Sequence, residues 1–242
     1  MSEQAAEAGS GRRAEIAAGL ARVNDRIAAA CRAAGRPRED VILIAITKTF
    51  PASDVRLLHS LGISNVGENR DQEAARKAAE CWDLRDELTW HFVGQLQTNK
   101  AASVVSYAGV IHSVDRLRLV RALGRQASRA GRTVTGLVQV SLDDDPERGG
   151  AAIGEVPAIS DAIAAEEGLV LGGVMAVAPQ GMPPAEAFST LAEVAATVRA
   201  AHPDARMISA GMSGDLEEAI AAGSTHVRVG TALLGGRPDL VR

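Results

Sequence analysis

The chain has 242 residues, with 26 basic side chains against 30 acidic ones and a formal net charge of −4. Its length suits one barrel-sized domain, and a 46% hydrophobic, 23% charged composition excludes a disordered polar chain. An acidic balance with only 2% aromatic residues argues against a nucleic-acid partner, which calls for a basic surface and stacking rings. No apolar run reaches the roughly 18–20 residues of a membrane helix. The opening MSEQAAEAGSGRR lacks the basic and apolar blocks of a secretory signal. Cys31 and Cys81 are too few for a disulfide framework and read as reduced packing thiols, so the expected location is cytoplasmic.

Residues 1–11 read as a mobile tail, and 12–242 as a single domain. Ile16, Leu20, Val23, Ile27 and Ala30 recur at three- and four-residue spacing, which predicts a helix ending near Gly35 and Pro37. Short apolar runs then predict strands at 41–46, 65–66, 90–93, 110–114, 134–140, 170–177, 207–209 and 225–229. Helical stretches fall between them at 53–61, 70–86, 97–106, 116–130, 153–166, 185–200 and 215–222. Strict alternation of β and α implies a parallel sheet, because each return crossover needs a helix. Eight such strands fit a closed (β/α)8 TIM barrel with an extra N-terminal helix. An open doubly wound sheet fits less well, since no GxGxxG follows the first strand.

Barrel active groups gather where strands end, so the residues after each strand are the candidates. Lys48 follows the first apolar run and, by period-two alternation, shares a face with Ile42, Ile44 and Ile46. It reads either as a lysine snorkelling from a strand end or as a partly desolvated amine suited to Schiff-base chemistry. After the second strand, Asn69 is either a cap for the next helix or a ligand contact. His91, His112 and Asp115 are open between structural and functional roles, and no His, Cys or carboxylate spacing suggests a metal. Ser213, with Gly211 and Gly214 nearby, reads as a helix cap or as a phosphate-binding turn at a helix start. Arg228 lies among apolar residues of the last strand and must be paired or functional there. Gly230 and Thr231 form a second such turn. Two phosphate-type turns with a strand-end lysine call for a ligand carrying both a phosphate and an aldehyde, as pyridoxal phosphate does.

The motifs AITKTFP (45–51), GENRDQE (67–73), WHFVGQLQTNK (90–100), IHSVDR (111–116), GGVMAV (172–177) and SAGMSGDLEEAIAAGSTHVRVGTALLGGR (209–237) run in order along the chain. Over residues 12–237 it thereby resembles the pyridoxal phosphate homeostasis proteins, single-domain relatives of the alanine racemase N-terminal barrel. The resemblance implies a fold-type III barrel with pyridoxal 5′-phosphate (PLP) held as a Schiff base on Lys48. It further implies phosphate contacts from Ser213, Gly230 and Thr231, with Arg228 facing the pyridine nitrogen and Asn69 lining the pocket. Gln95 stands where many members have proline and Ala210 where methionine is frequent, and neither change removes a needed group.

An arginine at the ring nitrogen disfavours the protonated ring and so restrains the cofactor as an electron sink. Racemase relatives tolerate that arginine, but they complete their site with a second domain carrying a tyrosine. Here no residues remain for such a domain after Arg237, and the only tyrosine, Tyr107, falls in a helical stretch. The expected function is therefore PLP storage, buffering or delivery with little or no turnover. The expected partners are PLP and apo forms of PLP-dependent enzymes, with the chain a monomer. The alternatives are a PLP-dependent amino-acid racemase of the alanine type and an aldolase-like barrel using Lys48 without a cofactor.

Overall fold

Parallel strands that are buried on both faces must be apolar almost throughout, and this explains the short β-branched runs. In a computed structural model, which describes residues 3–143 and 149–236, these runs become eight strands. They are β1 (Ile42–Ile46), β2 (Asn65–Glu68), β3 (Thr89–Phe92), β4 (Val110–Val114), β5 (Val134–Gln139), β6 (Leu169–Met175), β7 (Met207–Ser209) and β8 (His226–Val229). They close in sequence order into a parallel barrel. Closure is made by β8 against β1, with Ile44 opposite Arg228 and Ala45 opposite Val229. The predicted (β/α)8 class is the observed one.

Around the barrel lie α1 (Glu3–Ala33), α2 (Ala52–Ser60), α3 (Asp71–Glu80), α4 (Ala101–Tyr107), α5 (Leu117–Ala130), α6 (Val156–Ala165), α7 (Pro184–Ala201), α8 (Leu216–Ala221) and α9 (Thr231–Leu234). Two of these differ from expectation. The helix predicted from residue 12 begins at Glu3, within the stretch read as a tail. Alanine, glutamate and glutamine there favour helix strongly enough to carry it through Gly9 and Gly11. The four-residue α9 was not predicted, because its sequence was read as a turn. None of the helices is long and apolar enough to cross a membrane, among the described residues.

The apolar stripe of α1 packs Ile16, Leu20, Val23 and Ile27 against Leu216, Ile220, Leu233 and Leu234 of α8 and α9. Polar contacts fix the same helix. Arg12 pairs with Asp54 at 2.7 Å and donates to the carbonyl of Leu234 at 3.1 Å. Arg26 pairs with Glu217 at 2.8 Å and donates to the carbonyl of Ser213 at 2.9 Å. The extra helix thus braces the two last loops of the barrel, where the phosphate-type turns were predicted.

A bulge in β6 marks one point of close approach. The β5–β6 register moves from Gly136 opposite Leu171 to Leu137 opposite Gly173. Gly173 sits at φ +143°, and a Cβ built there would lie 2.0 Å from the carbonyl oxygen of Met207. An alanine would be strained in itself and would also push β7 away. Gly173→Ala is therefore expected to cost about 2–4 kcal/mol in urea unfolding. A loss below about 1 kcal/mol would show that the seam yields freely.

Candidate functional site at the barrel mouth

The first strand runs out at Ile46, so Lys48 lies in a turn just beyond it, half-buried between buried Thr47 and half-buried Thr49. Continuing the strand alternation to position 48 therefore goes one turn too far. Of its predicted face-mates, Ile44 and Ile46 are buried, while Ile42 at the opposite end of the strand is exposed. The turn is tightly held. The Thr47 amide donates to the Gly67 carbonyl at 3.0 Å, and the Phe50 amide closes back on the Thr47 carbonyl at 3.0 Å. Thr49 has φ +70°, the one non-glycine residue with positive φ among the described residues. A β-branched residue there is under strain.

Lys77, on the inner face of α3, is buried beneath this turn. Its ammonium donates to the Thr47 carbonyl at 2.6 Å and to Glu68 Oε1 at 2.7 Å, and it pairs with Glu73 Oε1 at 2.8 Å. Glu68 Oε1 also accepts from the Thr47 hydroxyl at 2.6 Å, and Glu73 Oε1 from the Thr49 amide at 2.5 Å. Burial raises the Glu68 carboxyl above its ordinary range, against the pull of Lys77. At Glu73 burial acts in the same sense, but the bonds from Lys77 and the Thr49 amide outweigh it and the net shift is downward. None of these three residues figured among the sequence candidates. The available signal was Lys77 itself, set at buried spacing between Ala74 and Ala78.

Arg228 on β8 is paired, as a buried guanidinium must be. It donates to the Ser209 carbonyl at 2.8 Å, to the Ser209 hydroxyl at 2.6 Å and to the Ala176 carbonyl at 2.9 Å. Burial lowers its pKa to about 10, a value at which it still carries its charge near neutrality. From Ser209 a hydrogen-bonded chain crosses the barrel interior. Ser209 Oγ meets His112 Nδ1 at 2.9 Å, His112 Nε2 meets His91 Nδ1 at 2.9 Å, and His91 Nε2 meets Asn65 Oδ1 at 2.9 Å. Arginine can only donate and the amide oxygen can only accept, so both ends give the chain one direction. Each imidazole is then neutral, with its proton on Nε2. Burial drives His91 down to about 3 and His112 well below the ordinary histidine range. The two histidines left open by sequence thus form one buried pair. Asp115, the third open candidate, forms an ion pair with its neighbour Arg116.

The last two loops converge. Ser213 lies in a turn three residues ahead of α8, whose N-cap is Asp215, so it does not start that helix. Its hydroxyl instead accepts from the Ala232 amide at 3.4 Å, at the N-terminus of α9. The helix start that Ser213 adjoins is therefore the one after β8, built on Gly230 and Thr231. This is the usual barrel arrangement of a phosphate site, with the loops after strands seven and eight meeting a short extra helix. Asn69 does not cap α3, whose N-cap is Arg70 without a side-chain bond. Its Oδ1 is buried and has no hydrogen-bond partner. Register places Ile46 opposite Gly67, so Lys48 and Asn69 each lie two residues beyond a paired position.

The sequence profile of the alanine racemase N-terminal domain matches residues 20–238. The pyridoxal phosphate homeostasis protein of Mycobacterium tuberculosis is 45% identical over 243 residues, covering 93% of this chain and 94% of the relative. The chain belongs to this family. The structure of PipY from Synechococcus elongatus with PLP bound is 36% identical, with a TM-score of 0.79 over 91% of this chain and 100% of that one. An uncharacterised protein of Bifidobacterium adolescentis is 33% identical, with a TM-score of 0.87 over 92% of this chain and 96% of that one. As a pyridoxal phosphate homeostasis family member, the chain carries the family's barrel over nearly its whole length. Among the described residues, no cluster of three or more His, Cys, Asp or Glu side chains could hold a metal ion.

Proposed function

We propose that this barrel binds PLP, holds it as a Schiff base on Lys48, and stores, buffers or delivers it in the cytoplasm with little or no turnover. The observation that carries the reading is the gathering of three dissimilar groups at one end of the barrel. These are a half-buried lysine on a strained turn after β1, a buried arginine on the adjoining strand β8, and a hydroxyl beside a helix N-terminus after it. A phosphate suits the Ser213 hydroxyl and the amide-rich start of α9. The ring nitrogen suits Arg228, which among the described residues engages only some of its five N–H donors with protein acceptors. The buried, unpartnered Asn69 Oδ1 leaves an acceptor for a ligand group. When bound, the cofactor supplies an aldehyde, with which a lysine amine condenses by losing one water.

Two features favour holding over turnover. Arg228 stays a donor at the ring nitrogen, so the ring keeps a lone pair there and draws electrons weakly. The chain's single tyrosine, Tyr107, ends α4 on the side where β4 begins, which is the far end of the barrel from Lys48. The name of the curated relatives and the PLP in the PipY structure support the same reading. Apo PLP-dependent enzymes are the proposed recipients, and a monomer the proposed carrier.

The test is borohydride reduction of the PLP-loaded protein, followed by digestion and peptide mass analysis. The expected result is one pyridoxyl group on the peptide carrying Lys48. An unmodified peptide would overturn the covalent reading. Mixing loaded protein with an apo-enzyme should restore that enzyme's activity. Steady α-hydrogen exchange of alanine in heavy water with inversion at the α-carbon, at roughly 1 per second or faster, would instead establish a racemase.

A further inference from the structure

Two points on the backbone, one on each side of Lys48, are gripped by a buried ionic cluster that does not touch Lys48 itself. On one side, Thr47 gives its carbonyl to Lys77 at 2.6 Å and its hydroxyl to Glu68 Oε1 at 2.6 Å. On the other, Thr49 gives its amide to Glu73 Oε1 at 2.5 Å. Lys77 joins the halves, and its three N–H bonds match three acceptors: the Thr47 carbonyl, Glu68 and Glu73. Lys77, Glu68 and Thr47 are all at most 1% exposed. Burying an ion pair is a poor way to gain stability, because desolvation offsets most of the attraction. The shared Lys77 ammonium, with all three donors matched, nonetheless ties both sides of the turn to α3 and β2 and so fixes a turn with a threonine at φ +70°, even though Glu68 Oε2 and Thr49 Oγ1 stay buried without partners.

We propose that Lys77, Glu73 and Glu68 are positioning residues for Lys48, clamping the 47–49 turn in its strained form so that the lysine amine is aimed at the incoming aldehyde. The proposal rests on the PLP reading above. Without the clamp, Thr49 relaxes to negative φ and the backbone at Lys48 swings with it. The amine then reaches the same chemistry less often. Strain kept at a functional turn in this way makes the reactive geometry the resting geometry.

Glu73→Ala tests this with the least damage, since Glu73 lies near the surface and the Lys77–Glu68 pair survives its loss. Glu73→Gln keeps an acceptor for the Thr49 amide and is the rescue. In ligand-free protein, hydrogen exchange at Thr49 should be about tenfold or more faster in Glu73→Ala and near wild type in Glu73→Gln. With PLP added, the rate at which the Schiff-base band appears should fall about tenfold in Glu73→Ala and recover in Glu73→Gln. Lys77→Met should slow it further, and urea unfolding of each variant checks that the barrel is folded. Faster exchange at Thr49 with an unchanged rate of band formation overturns the proposal and leaves the PLP reading standing. Unchanged exchange overturns the clamp directly. Absence of a pyridoxyl adduct at Lys48 in wild type removes the reading itself, and with it the aim assigned to the clamp.

Discussion

Lys48→Ala is expected to abolish covalent retention of PLP while leaving the barrel folded. The substitution removes an amine that makes no hydrogen bond or ion pair among the described residues, so nothing buried loses a partner. It falls in a turn whose closing bonds come from the backbone of residues 47 and 50 and from the ionic cluster below. Stability should therefore stay within about 0.5 kcal/mol of wild type, the range of substitutions that touch no buried feature. The Schiff-base band should vanish altogether, because the neighbouring amine at that end of β1, Lys77, is buried with all three donors held by the Thr47 carbonyl, Glu68 and Glu73. What remains is reversible binding through the Ser213 and α9 turn and Arg228, separable by gel filtration. A variant that still retains reducible PLP would assign the linkage to another lysine. A variant that unfolds would show that the turn depends on the lysine stem.

The barrel was legible in the sequence because its physics is repetitive. Eight β-branched runs at even spacing, each followed by a helical stretch, leave little choice of topology once every crossover must return on the same side. Lys48 and Arg228 stood out for the same reason, as charges where the pattern calls for apolar side chains. Other parts were hidden by the shortness of their signals. Four residues of α9 look like a turn, so Ser213 was attached to α8, the nearer helix in sequence, although its hydroxyl faces the start of α9. Lys77 and Glu73 were not among the candidates, since an i,i+4 Glu–Lys spacing on a helix is common, and only the burial of Lys77 against the Thr47 carbonyl and Glu68 makes the pair a clamp. The His91–His112 bond joins β3 to β4 through side-chain direction, which alternation predicts for each strand but not between strands.

Those interior histidines also make the fold acid-sensitive, and the size of the effect can be argued from their burial. His91 is held at about 3 by burial and by the nearby His226, and His226 at about 4 by burial and by Arg228. His112 is driven down by burial first, then by His91 and Arg228. In the unfolded chain each titrates near 6.5. All three folded values lie below the unfolded one, so the unfolded state binds more protons as pH falls. The stability they allow is complete above about pH 6.5 and is lost as pH drops from there towards about 4. At pH 5 His91 and His226 each cost about 2 kcal/mol relative to pH 7, so the two together cost about 4 kcal/mol, and His112 adds a loss of the same sign, a large part of the stability of many domains. Glu68 works in the opposite sense, since burial raises its folded value, and it softens the fall without reversing it. His59 and His202 lie nearer the surface against Glu87 and Asp161, and the lowered carboxylates of Glu73 and Glu217 add a loss of the same sign only at the acid end, as pH falls through about 4.3. Urea unfolding at pH 7, 6 and 5 should therefore show a steep loss, with uptake of about two protons per chain on unfolding at pH 5 from His91 and His226 and a further uptake from His112. In His226→Asn, which removes one of these groups, the uptake at pH 5 should drop by about one proton and the slope with it. A profile flat from pH 7 to 5 would mean that the interior histidines accept protons in place, and that the directed chain from Arg228 to Asn65 does not keep them neutral.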